Sequence, residues 1–151
     1  MVQRDYILRL IEQAGTILKS LLRRVLAQGA TRNEMTSDLR RAAQLGGLDL
    51  DLLRVSDVPS LRYVVALTGE PDPGRTWLAA EMLYVDGLSA DREGDVGAAV
   101  MSYAKARSLF GMIEPTWVLP TGFPEASLRI EEIDARLAAL EKADYPPGPG
   151  E

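Results

Sequence analysis

From Arg4 to Gln28 apolar residues return every three or four positions. Ile7, Ile11, Ala14, Leu18, Leu21, Leu22 and Val25 form one stripe, with Asp5, Arg9, Glu12, Lys19 and Arg23 opposite. That period predicts a single long helix, and Gly29 supplies its stop. Placing Leu8, Leu10, Ile17 and Leu26 at 100° per residue widens the apolar arc to roughly 200°, more than a helix resting on one neighbour needs. This helix is expected to be covered on two sides. The cover is either a second copy of the chain in a homodimer or the C-terminal helix of the same chain, and Ile11, Leu18 and Leu22 are its candidate contact residues. Thr31 or Asn33 can cap a second helix carrying Met35, Leu39, Ala42 and Leu45, which Gly46 and Gly47 end. The two helices predict an antiparallel hairpin.

Residues 48–53 alternate leucine with aspartate, but no strand-like partner lies nearby, so a short helical or turn connector is expected. Ser56, Asp57, Val58 and Pro59 read as the start of a helix through Leu61, Val64, Val65 and Leu67, because proline is tolerated in a first turn. Residues 69–74, with two glycines and two prolines, are the clearest loop. A helix follows from near Thr76 through Trp77, Ala80, Met82, Leu83 and Tyr84 toward Leu88. A polar turn at 91–95 leads into another over 94–110. Residues 111–124 hold three prolines but also Trp117, Val118, Leu119 and Phe123, too apolar to leave in water, so a packed irregular crossing is expected. Ala126, Ile130, Ile133, Leu137 and Leu140 then mark a narrow seam on a last helix over 124–142. The proline- and glycine-rich end, 144–151, is expected to be a disordered tail.

Within 94–110, helical spacing places Val96, Ala99, Tyr103, Ala106 and Phe110 on one face, where the two alanines permit close approach of a neighbouring helix. Gly94, Asp95, Ala99, Tyr103, Lys105 and Ala106 fall where the second helix of a tetratricopeptide repeat carries its consensus, and Trp77 and Tyr84 match the aromatics of the first. The stretch resembles one such helical hairpin. Tyr84 to Ala99 is about six residues longer than the standard repeat allows, so an extended first helix or an enlarged turn is expected. More broadly, the residues Asp5, Tyr6, Ile7, Ile11, Glu12 and Gln13, the connector Gly47 to Leu50 and the hairpin resemble a family of small bacterial all-helical proteins of uncharacterised function. That resemblance implies an all-α fold and brings no activity, cofactor or catalytic residue with it.

Composition narrows the function classes. The chain has 151 residues, 46% of them apolar, which is enough for one domain, taken as 1–143. No apolar run approaches the roughly 18 residues that span a bilayer, and no signal-peptide core follows Met1, so a cytoplasmic location is expected. Cysteine and histidine are both absent, which removes thiolate chemistry, the commonest general base and the commonest transition-metal ligand. The net charge of -5 is split: residues 1–41 carry +4 and the remainder -9. So acidic a body disfavours nucleic acid as partner.

Three motifs invite chemistry and fall short of it. Residues 69–76 have phosphate-loop spacing, but the lysine position holds Arg75, Pro71 and Pro73 lack N–H donors, and Glu70 and Asp72 repel phosphate. Asp91, Glu93 and Asp95 begin like a calcium loop, yet glycine comes early and Ser102 stands where a bidentate glutamate is required. Glu131, Glu132 and Asp134 lie around the solvent side of the final seam, not in a pocket.

The sequence therefore reads as an all-α bundle of about six helices with one tetratricopeptide-like hairpin. It is expected to be a non-catalytic interaction or assembly module without cofactor or metal, whose partner is another protein or itself. Its candidate interaction residues are Ile11, Leu18, Leu22, Trp77, Tyr84, Tyr103 and Phe110. One alternative is a small-ligand or regulatory domain using the hairpin aromatics. A second is a membrane-peripheral protein using the basic first helix.

Overall fold

The computed structural model describes the backbone of residues 2–144 and the side chains of residues 6–142, so all of the expected tail except the Asp144 backbone lies outside the described residues. Seven α-helices make the described chain all-α. Helices α1 (Val2–Gln28) and α2 (Arg32–Leu45) form the predicted hairpin around Gly29, whose φ of 64° is the left-handed conformation that ends α1. The Thr31 hydroxyl caps α2 by accepting the Glu34 N–H at 3.2 Å. At its other end Leu48 N–H reaches the Ala43 carbonyl and Gly47 N–H the Gln44 carbonyl, a Schellman closure with Leu48 buried behind it.

Capping decides the next segment. The Asp49 carboxylate accepts the N–H groups of Asp51 and Leu52, so the alternating stretch becomes helix α3 (Leu50–Val55), not a strand. Asp57 caps a 3₁₀ turn (Val58–Ser60) that runs into a single turn of helix, α4 (Leu61–Val64). The longer helix expected here stops early. Thr68 and Gly69 both adopt positive φ, the backbone of a tight hairpin turn, and pair Ala66–Leu67 (β1) antiparallel with Glu70–Pro71 (β2).

Helix α5 (Pro73–Arg92) begins three residues earlier than expected. Asp72 accepts the Arg75 N–H at 2.9 Å, and Pro73 occupies the first helical position, where its missing N–H costs nothing. From Thr76 to Ala90 all fifteen residues are buried. α5 is thus the central element, packed against α1, α2, α3 and α6. Asp95 caps α6 (Val96–Phe110), which pairs with α5 more closely than any other two helices in the fold. A Cβ at Gly87 would meet the Tyr103 ring at 2.7 Å, so that ring rests on bare α5 backbone. Ala99 and Ala106 are buried in the same contact region. α5 runs for 20 residues before the turn into α6.

Residues 111–125 cross the molecule in irregular form and are packed only in part: Leu119 and Phe123 are half-buried against the core, whereas Val118, expected to be covered, is 74% exposed. Phe123 meets Trp77 edge-on, with ring centres 4.9 Å apart. Helix α7 (Ala126–Asp144) then lies along α6, with Ile133 and Leu140 buried on its seam. α1 is covered on two sides as expected, but the covers are α2 and α5; α7 packs elsewhere. No described helix is long and apolar enough to cross a membrane.

Candidate functional site

The seven candidate interaction residues are almost all interior. Ile11 and Leu18 are buried beneath α1, Trp77, Tyr84, Tyr103 and Phe110 lie in the core, and Leu22 is half-buried. The reason is packing. Ile11 reaches into the junction of α1, α2 and α5, within 3.3 Å of where a Cβ on Gly46 would sit and 3.0 Å of one on Gly74. The four aromatics fill space between helices and line neither of the clefts described below. Among the described side chains of α1, the large apolar groups left to solvent are Tyr6, Ile7 and Leu26, 60%, 45% and 51% exposed.

What the sequence reading missed is two buried carboxylates on α5. Asp86, fully enclosed, accepts four charge-assisted hydrogen bonds: from Arg32 at 3.0 and 2.9 Å, and from Arg54 at 2.9 and 3.1 Å. Burial pushes its pKa up, but the hydrogen bonds from Arg32 and Arg54 outweigh burial and hold the carboxyl below its usual value. Arg54 also donates to Thr36 Oγ1, while Lys105 donates to the Leu53 and Arg54 carbonyls at 3.2 and 2.7 Å, capping the end of α3. One charge centre thereby binds α2, α3, α5 and α6.

Glu81 makes the second centre. Its Oε1 accepts Arg129 Nε at 2.8 Å, Oε2 has no partner, and neither oxygen reaches solvent. Burial raises its pKa, and the adjacent Arg129 pulls it only partly back. Arg129 also donates to Glu132 at 3.0 Å and lies 4.6 Å over the Tyr84 ring, whose hydroxyl donates to the same Glu132 oxygen at 2.8 Å. Tyr103 donates to Asp91 at 2.9 Å. Burial raises the pKa of both phenols, so they remain protonated donors. This network fastens α7 onto α5 and α6. A general acid or base must reach a substrate proton, and Glu81 is sealed from both clefts.

The motifs weighed in the sequence are each absorbed by local structure. Glu132 and Asp134 are engaged separately, Asp134 with Arg107 at 2.6 Å, so the acidic group on α7 does not converge. Asp91 receives Tyr103, Glu93 receives the Arg32 N–H at 2.8 Å and Asp95 caps α6, leaving the calcium-like turn with its carboxylates committed. Asp72 occupies the start of α5, where a phosphate would have to sit. Among the described residues no three acidic side chains gather to hold a metal.

Two clefts open on the surface. The smaller, about 200 Å³, lies between α1 and the crossing segment, beside Lys19, Pro120 and Phe123. The larger, about 530 Å³, is built where β2, the start of α5 and the residues after α6 meet, and is lined by Arg62, Glu70, Pro71, Pro73, Met112, Glu114 and Trp117. Trp117 is half-buried, and its backbone N–H donates to the Glu114 carbonyl at 3.0 Å, fixing the turn that carries both residues. The chain matches no family model, curated protein or solved structure.

Proposed function

We propose that this protein is a non-catalytic interaction module, with the larger cleft as its contact site. The observation that carries this is a division of labour among its ionisable groups. The buried ones, Glu81, Asp86, Lys105 and Arg129, are tied into contacts between helices. At the cleft, by contrast, Trp117, Met112 and two prolines stand beside Glu70 and Glu114, neither of which enters a described ion pair. An indole and apolar surface with uncommitted charge at the margin is the composition of a contact site. The resemblance of α5 and α6 to a tetratricopeptide hairpin supports the same class. Crosslinking in native cells tests it: a partner should crosslink beside residues 112–117, and Trp117→Ala should lose it at unchanged melting temperature. Equal recovery by the variant would refute the site.

Self-association is a second reading, favoured by the exposure of Tyr6, Ile7 and Leu26 on α1. Light scattering tests it directly, and a monomer at all concentrations would dismiss it. The outer face of α1 mixes Glu12 with Arg9, Lys19 and Arg23, which favours a protein surface over an anionic bilayer.

A further inference from the structure

We infer that the larger cleft receives a peptide segment bearing an arginine or lysine side chain. This rests on the interaction-module reading and names the chemistry of its partner. Two carboxylates from distant parts of the chain, Glu70 on β2 and Glu114 beyond α6, line one cavity with the Trp117 indole. Neither takes part in a described ion pair, and the cleft's single cation, Arg62, has its guanidinium over the Tyr63 ring at 5.8 Å. The lining therefore carries one surplus negative charge beside an aromatic residue. A cationic head in this cleft gains charge-assisted hydrogen bonds and attraction to the indole together. An anionic occupant meets two like charges, and a wholly apolar one strips water from carboxylates without replacing it.

The volume, about 530 Å³, holds more than one side-chain head. Met112, Pro71 and Pro73 supply apolar surface for residues flanking the cation. Two of these are prolines, and the adjoining hairpin and helix start hold them in place, so the occupant meets a largely preformed wall. These features fit a segment of polypeptide better than a free amine.

The test uses the full chain and four pools of acetylated, amidated pentapeptides, each with randomised flanks and a fixed central arginine, lysine, citrulline or glutamate. Arginine and lysine pools should bind saturably by tryptophan fluorescence and calorimetry. Citrulline, which keeps the shape of arginine without its charge, should bind about tenfold more weakly, and glutamate should not bind. Glu70→Gln with Glu114→Gln should cost the arginine pool about tenfold and flatten its salt dependence. Both substitutions lie at exposed positions, so the melting temperature of the double variant should match wild type. Equal binding of all four pools, or arginine binding indifferent to the double variant, overturns the cation assignment. So does the absence of any binding. In each case crosslinking at residues 112–117 still decides separately whether the cleft is a contact site.

Discussion

Replacing Asp86 with asparagine keeps the size of the side chain and removes its charge. Arg32 and Arg54, now 2.9 to 3.1 Å from the carboxylate oxygens, would then confront each other across an amide that offers one acceptor and turns its donors toward them. Removing one partner of a buried ion pair costs about 3–5 kcal/mol. The arginine side chains are 27% and 20% exposed and keep part of their hydration, which places the expected loss near the lower end, about 3 kcal/mol. For a chain of this size that lowers the melting temperature by about 6–12 °C. Urea denaturation followed by circular dichroism should show a lower midpoint at unchanged slope. The pH dependence supplies an independent check. Because the folded carboxyl titrates below its ordinary 3.8, its contribution is complete above about pH 4 and is lost as pH falls through the depressed value. Wild type and variant should therefore converge in acid. A loss under 1 kcal/mol, or a gap unchanged from pH 7 to pH 3, would show that the two arginines do not depend on Asp86.

Glu81→Gln should cost markedly less than Asp86→Asn at pH 7. Burial raises the folded pKa of Glu81 above its ordinary 4.5, so its ionisation opposes folding as pH rises through the raised value, and Arg129 keeps Glu132 in the variant; paired urea titrations decide. Gly87→Ala should lose about 1–3 kcal/mol despite alanine's better helix propensity, because the new Cβ would stand 2.7 Å from the Tyr103 ring; a rise in midpoint would mean that the ring moves aside freely. Ala106→Leu, at a fully buried position, should lose a similar amount, roughly 1–3 kcal/mol by denaturation, and an unchanged midpoint would contradict its packing. Magnesium–ATP should produce no saturable heat in calorimetry, since Asp72 holds the start of α5; micromolar binding abolished by Arg75→Ala would contradict this.

Much of the backbone was legible because punctuation residues act locally. Gly29, Thr31 and the Gly46 and Gly47 pair mark the ends of α1 and α2 without reference to the rest of the fold. The short helix α4 was misjudged because its length is set by a hairpin turn four residues on, where Thr68, a β-branched residue, takes a left-handed conformation that its type does not announce. The buried carboxylates were hidden for another reason. An acidic residue on a helix ordinarily faces water, and the arginines that answer Asp86 and Glu81 stand between 32 and 54 positions away in the chain. A signal was nevertheless present: residues 76–90 contain hardly any charge, as befits a helix covered all round, and Glu81 and Asp86 within such a helix require cations from elsewhere. On α1 and the aromatic helices hydrophobic periodicity reports burial within the chain as readily as burial against a partner.

The cations that neutralise α5 bear on how such a protein can evolve. Arg32 and Arg54 come from before the α5–α6 hairpin and Arg129 from after it. Excised alone, residues 73–110 would bring Glu81 and Asp86 without the guanidinium groups that neutralise them, and duplicating that stretch would give each new copy two orphan acids. A true repeat grows by adding self-sufficient units. This hairpin depends on both flanks of its own chain, so a tandem duplication would carry an immediate stability cost.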